Sequence, residues 1–171
     1  MGQAGNLRET PDFVPGVFFE MPKVEWFGPI HYRLIQVDPP FAFHRHTGEV
    51  ITPGPIDTDG GSIPRILWSV PGFSPWDYLP AYVIHDWLFF QHRKGEGELD
   101  FTTANLVLGE AMTTLQAMHY VPFTPRTIQA VYKAVSSVLG KLAWDGPWDS
   151  ISAGIMRMRY APRPFPKNPH D

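Results

Sequence analysis

Nineteen prolines in 171 residues decide where regular structure can run, because each removes a backbone donor and fixes φ. From His31 to Val37 the residues alternate as a half-buried strand does, until Pro39-Pro40 breaks the run. Residues 41–44 and 49–52 read as two further short strands, which predicts a small antiparallel ribbon. Residues 53–75 are too rich in Pro, Gly, Ser and Asp for more than a short turn near Ile66-Leu67-Trp68, and they read as an ordered loop. Beyond them the spacing predicts three helices. The first covers residues 76–93, with Tyr78, Leu79, Tyr82, Val83, Trp87 and Phe90 on a wide apolar stripe and Lys94-Gly95 to stop it. The second starts at Asp100 or Thr102, either able to cap free amides, and runs to about Met118. The third covers residues 126–144, with Ile128, Val131, Val135, Val138, Leu139 and Leu142 at helical spacing and Gly140 weakening its last turns.

The expected architecture is therefore α+β: an N-terminal antiparallel strand ribbon followed by a core of about three α-helices, in a single domain. The length suits one core rather than two, since domains commonly run to about 100 to 150 residues. An arm is expected over residues 1–30, a globular domain over 31–160 and a Pro-rich extended tail over 161–171. A net charge of −3 leaves no general attraction to a phosphate backbone, so nucleic acid is not expected as a partner. The absence of cysteine removes disulfides and thiolate metal sites, leaving packing or a metal held through oxygen or nitrogen. No apolar run follows a basic start, and none reaches the roughly 20 residues of a membrane span. The expectation is a protein of a cytoplasm without a classical signal peptide.

His85 and Asp86 stand side by side in the most apolar predicted helix, where two ionisable groups are costly to bury without partners. A plain account gives His85 a backbone carbonyl and Asp86 an Arg such as Arg65. The alternative comes from the loop Asp57-Thr58-Asp59-Gly60-Gly61-Ser62-Ile63-Pro64-Arg65. Its two carboxylates stand just before a glycine pair that can turn amides or carbonyls toward one point, as a hard cation or an oxyanion requires. Alone, that loop also reads as an Asp-Gly turn with Asp59 and Ser62 satisfying local backbone. His44 and His46 have a zinc-compatible spacing on one strand face, and equally the spacing of an exposed polar face. His92 lies two turns from His85 and suits either a second ligand or a helix-end dipole partner. The aromatic cluster of Trp68, Phe73, Trp76, Tyr78, Trp87, Phe89 and Phe90 reads as core, or as an acyl or peptide groove.

The run Thr58 to Arg65, then Pro80-Ala81-Tyr82-Val83-Ile84-His85-Asp86-Trp87-Leu88-Phe89, then Ala104-Asn105 leading into Glu110-Ala111-Met112, resembles the phage-associated domain-of-unknown-function family 1353. The likeness covers about residues 31–144 and implies a gene of tailed-phage or prophage origin, with no established activity. A looser similarity in the order of loop, His-Asp helix and following helix links the chain to the core of bacterial-type phospholipases A2. That resemblance implies His85 as general base, Asp59 and Asp86 as ligands of Ca2+, and Gly60 or Gly61 as loop backbone ligands or oxyanion donors, with Ser62 and Arg65 in support. The position matching the Asp that orients the histidine is Asn105. An amide fixes a tautomer but does not stabilise an imidazolium as a carboxylate does.

The resulting expectation is a metal-dependent hydrolase acting on a lipid or other ester. The alternative is a virion component, in the tail or as a capsid accessory, that makes assembly or homo-oligomer contacts through the arm, residues 13–27, and the tail. An HD-type phosphohydrolase shares the dipeptide but lacks the further histidines at helical spacing.

Overall fold

The computed structural model describes residues 11–28, 31–58, 77–122 and 124–146; the 59–65 loop and the 161–171 tail lie outside them. Among the described residues six short strands precede four helices: β1 (Val17–Phe19), β2 (Lys23–Gly28), β3 (His31–Ile35), β4 (Ala42–His44), β5 (Val50–Ile51), β6 (Asp57–Thr58), α1 (Leu79–Lys94), α2 (Phe101–Ala117), α3 (Pro125–Val135) and α4 (Val138–Asp145). The chain is α+β, as the alternation and periodicity predict.

The strands form two antiparallel sheets, in the orders β1-β4-β5 and β2-β3-β6. Each is only three strands wide, and both send side chains into the core shared with the helices, Phe18, Phe43 and Ile51 from the first and Leu34 from the second. The central strand β4 carries Phe43, fully buried and paired with Phe18 of β1. The two rings meet at 4.9 Å and join Tyr82, Ile84, Leu108 and Met112 in one core. β1 and β2 fall within residues 1–30, the stretch expected to be an arm, and both pair into the body, β1 with β4 and β2 with β3. Phe13 reaches further still, its ring lying edge-on to Tyr132 of α3 at 5.2 Å and filling the space above Gly109 of α2.

Helix ends follow local chemistry. α1 stops where Gly95 takes a left-handed φ of 70° and the Glu96 amide returns to the Gln91 carbonyl at 3.0 Å. α2 starts where the Asp100 carboxylate accepts the Thr103 N–H at 2.7 Å. The connection of residues 95–100 is short, so α1 and α2 pack side by side and make the most extensive helix contact of the fold. The single third helix expected over residues 126–144 is two helices. Ser137 accepts the Gly140 N–H and caps a new start, and the turn is so tight that a side chain on Gly140 would collide with the Val135 carbonyl. α4 then swings Trp144 back onto α1, edge-on to Phe89 at 4.8 Å.

Candidate functional site

His85 sits in the middle of α1 on the flank that α2 covers, and only 7% of it is exposed. Its Nε2 lies 2.9 Å from Oδ1 of Asn105, which is itself 1% exposed in the second turn of α2. With the amide oxygen accepting, Nε2 carries the proton and Nδ1 keeps its lone pair. Asn105 Nδ2 has no partner among the described residues. One turn on, Phe89 packs its ring 4.4 Å from the imidazole. This apolar enclosure disfavours the charged ring and lowers the His85 pKa from 6.5 to about 4, the Asn105 hydrogen bond offsetting part of the shift. The imidazole is therefore neutral at neutral pH, its ring oriented by the Asn105 hydrogen bond.

Asp86 is half-buried and turned toward a different flank of α1. Its charge acts on Tyr82, one turn before it, and on Arg93, two turns after it. Burial first, then neighbouring negative charge, pushes the Tyr82 hydroxyl up. Arg93 is pulled down by burial, with Asp86 countering, and it donates to the Ala143 carbonyl of α4. Thus the adjacent pair divides its work: His85 faces α2, while Asp86 belongs to the flank of Tyr82 and Arg93.

Of the remaining predicted site residues, Asp59, Gly60, Gly61, Ser62 and Arg65 lie outside the described residues. The strand that feeds their loop is described: β6 pairs with β3, Arg33 opposite Asp57, and its neighbour Ile56 is in the core. Just before it, the backbone at Gly54 runs so close to Trp87 that a Cβ there would stand 2.9 Å from the indole. The chain thus touches the Trp87 side chain of α1 three residues before Asp57.

Of the other histidines, His44, His46 and His92 have neighbours outside any ligand cluster. His92 stacks on Trp144 at 4.0 Å, and His44 is exposed with its ring 6.1 Å from Phe19. His46 follows β4 in a turn, its Nδ1 3.8 Å from Glu110 Oε1. Among the described residues no three or more His, Asp or Glu side chains gather as a metal site would require.

A polar centre not foreseen in the sequence is built on Arg45, the residue between His44 and His46 in the chain. Arg45 turns inward and grips Glu110 of α2 through two bonds, Nε to Oε2 at 2.8 Å and Nη2 to Oε1 at 2.9 Å, and Nη1 reaches Glu49 at 2.6 Å. The Arg45 and Glu110 side chains are 8% and 6% exposed. A turn further along α2, Thr114 accepts the Gly16 N–H at 2.8 Å and donates to the Glu110 carbonyl. The network joins the first sheet and the N-terminal segment to α2. The one available signal was a carboxylate at 110 within the apolar run from Leu106 to Leu115, which demands a buried cation.

A shallow depression of about 370 Å³ lies between β5 and the end of α1, walled by Trp87, Leu88, Gln91 and Leu99; neither His85 nor Asn105 lines it. No curated protein and no solved structure matches the chain. The family profile described as protein of unknown function (DUF1353) matches residues 35–135, from the last residue of β3 to the last of α3, and takes in Arg45, His85, Asn105 and Glu110. That is more than half of the sequence, and the chain belongs to this family.

Proposed function

We propose that the protein is a hydrolase of the His-Asp type, acting on an ester, with His85 as general base, Asn105 as its orienting partner and Asp86, with Asp59, as the carboxylates of a calcium site. The observation that carries this reading is the 2.9 Å contact between Nε2 of a neutral, enclosed His85 and the Asn105 amide oxygen. It fixes the tautomer in which Nδ1 can take a proton from water, which is what a base requires. Calcium takes oxygen ligands, and when bound would supply the positive charge that polarises an ester carbonyl. Phage or prophage origin belongs to the same proposal.

The test is twofold. Purified protein is titrated calorimetrically with calcium, zinc and magnesium, and hydrolysis of a short-chain phospholipid and of an activated aryl ester is followed in the same buffers. Calcium is expected to raise the melting temperature in proportion to the logarithm of its concentration above the dissociation constant, with Asp86→Asn removing the shift. His85→Gln is expected to abolish hydrolysis. Absence of both calcium stabilisation and hydrolysis overturns the proposal.

A second reading, a virion component built for assembly, is favoured by one observation. Val138, Leu139 and Leu142 are all more than half exposed and lie together on the eight residues of α4. Leu139→Glu, with sedimentation velocity on the variant and the parent, separates the readings: an assembly surface loses its oligomer and a hydrolase keeps its turnover.

A further inference from the structure

We infer that Trp144 is a positioning residue for His85, acting through the Phe89 ring, so that the docking of α4 on α1 governs how closed the imidazole is to water. Of the eight residues of α4, Trp144 alone is buried. Its indole stacks on His92 of α1 at 4.0 Å, stands edge-on to Phe89 at 4.8 Å and tilts against Phe101 of α2 at 5.9 Å. The indole is thus the main anchor of α4 on the two long helices, with the Arg93 guanidinium adding a hydrogen bond to the Ala143 carbonyl.

Phe89 is the link, its ring 4.4 Å from the imidazole and 4.8 Å from the indole. In a close-packed interior a ring held between two others keeps its place; with the indole gone, a hole opens beside Phe89 that a shift of the ring and entering water would fill. What disfavours the charged imidazole is enclosure, since burial is the cause that lowers His85 and its partner Asn105 is uncharged. The charged groups of the region bear on other atoms. Asp86 acts on Tyr82 and Arg93, Arg93 lies 5.7 Å from the centre of the Phe89 ring, and Lys141 of α4 pairs with Asp145 and lies 5.5 Å from the centre of the Phe101 ring. Packing of α4 can therefore set the protonation of His85 with no charge of its own at the ring. The role in catalysis rests on His85 being the base of an ester hydrolase; the effect on the ring stands apart from it.

Imidazole NMR on the full chain follows the His85 ring through a pH titration in the parent, Trp144→Ala, Trp144→Phe and Gly140→Ala. Trp144→Ala is expected to raise the midpoint from about 4 by about 1 to 2 units, as partial access to water relieves the penalty on the charged ring. Trp144→Phe keeps an aromatic edge against Phe89 and is expected to leave the midpoint close to that of the parent. Gly140→Ala releases α4 while leaving every side chain around His85 in place, and is expected to raise the midpoint as well. It serves as the test should loss of the indole unfold the chain. A midpoint that stays near 4 in the folded variants, with only the melting temperature lowered, makes Trp144 a structural residue and overturns the inference. A midpoint that moves in a protein that hydrolyses no ester supports the inference and overturns the hydrolase reading; ester hydrolysis with an unmoved midpoint does the reverse.

Discussion

The enclosure of His85 makes the stability of the fold fall in mildly acid solution by an amount its environment sets. In the unfolded chain the ring accepts a proton below about pH 6.5; in the folded protein it does so only near pH 4. Between those values the unfolded state binds more protons, so stability rises with pH across the window and is lost as pH falls through it. At about 1.4 kcal/mol per pH unit the full separation costs the fold roughly 3 kcal/mol, and roughly 2 kcal/mol of it has gone by pH 5. Few domains have more than about 5 to 15 kcal/mol in hand, so the loss is readable. Urea denaturation of the parent and of His85→Gln at pH 7.5 and pH 5 isolates the effect, because every other titrating group is common to both. The parent is expected to lose about 2 kcal/mol more than the variant over that interval. Equal losses refute the reasoning, and so does a ring titration by NMR that places the His85 midpoint at 6 or above.

Three further substitutions probe the packing around the site. Glu110→Ala leaves the buried Arg45 guanidinium with only Glu49 as a carboxylate partner and is expected to cost about 3 kcal/mol by denaturant titration, whereas replacing Arg45 and Glu110 together by Met and Leu is expected to be close to neutral. Gly109→Ala places a Cβ 2.2 Å from the Phe13 ring and is expected to destabilise in thermal melts, since overpacking costs about 1 to 3 kcal/mol against a helix gain of about 1. With Phe13→Ala as background, the same change is expected to become stabilising. Gly140→Ala meets the backbone carbonyl of Val135 rather than a movable side chain, and is expected to release α4, read as lost hydrogen-exchange protection over residues 138–145 and roughly 3 kcal/mol of stability.

What the residues announced locally, the fold honours. Asp100 caps α2 and Gly95 ends α1 because both ends are decided by chemistry within a few residues. The break between α3 and α4 was hidden by an apolar pattern continuous from Ile128 to Leu142. That pattern belongs to two helices with different surroundings: Ile128 and Val131 are buried, while Val138, Leu139 and Leu142 face outward. Periodicity counts apolar residues and cannot say which surface will cover them. The strands of the N-terminal segment escaped for a related reason. β1 offers three residues and a single buried one, Phe18, too few to display an alternation, and its place is set by pairing with a strand some 25 residues away. Arg45 and Glu110 are 65 residues apart, and no sequence spacing encodes their meeting.

The His85 and Asn105 pairing was legible, from two adjoining helices and a resemblance, but its protonation was not, because the sequence names the residue and the dielectric around it decides the pKa. That environment bears directly on the proposed chemistry. A base must carry the proton transiently, and an enclosure that penalises the charged ring by roughly 3 kcal/mol slows such a step by over a hundredfold relative to a solvated histidine, unless a partner compensates. Asn105 orients the ring without compensating the charge. Asn105→Asp supplies the missing carboxylate and is expected to raise the His85 pKa by about 1 to 3 units. Two readouts must then move together. The pH dependence of stability between pH 7.5 and 5 should flatten or reverse, and ester hydrolysis should accelerate by a comparable factor. A variant that changes the slope with no gain in turnover makes His85 and Asn105 a satisfied core pair and leaves the ester chemistry without a base.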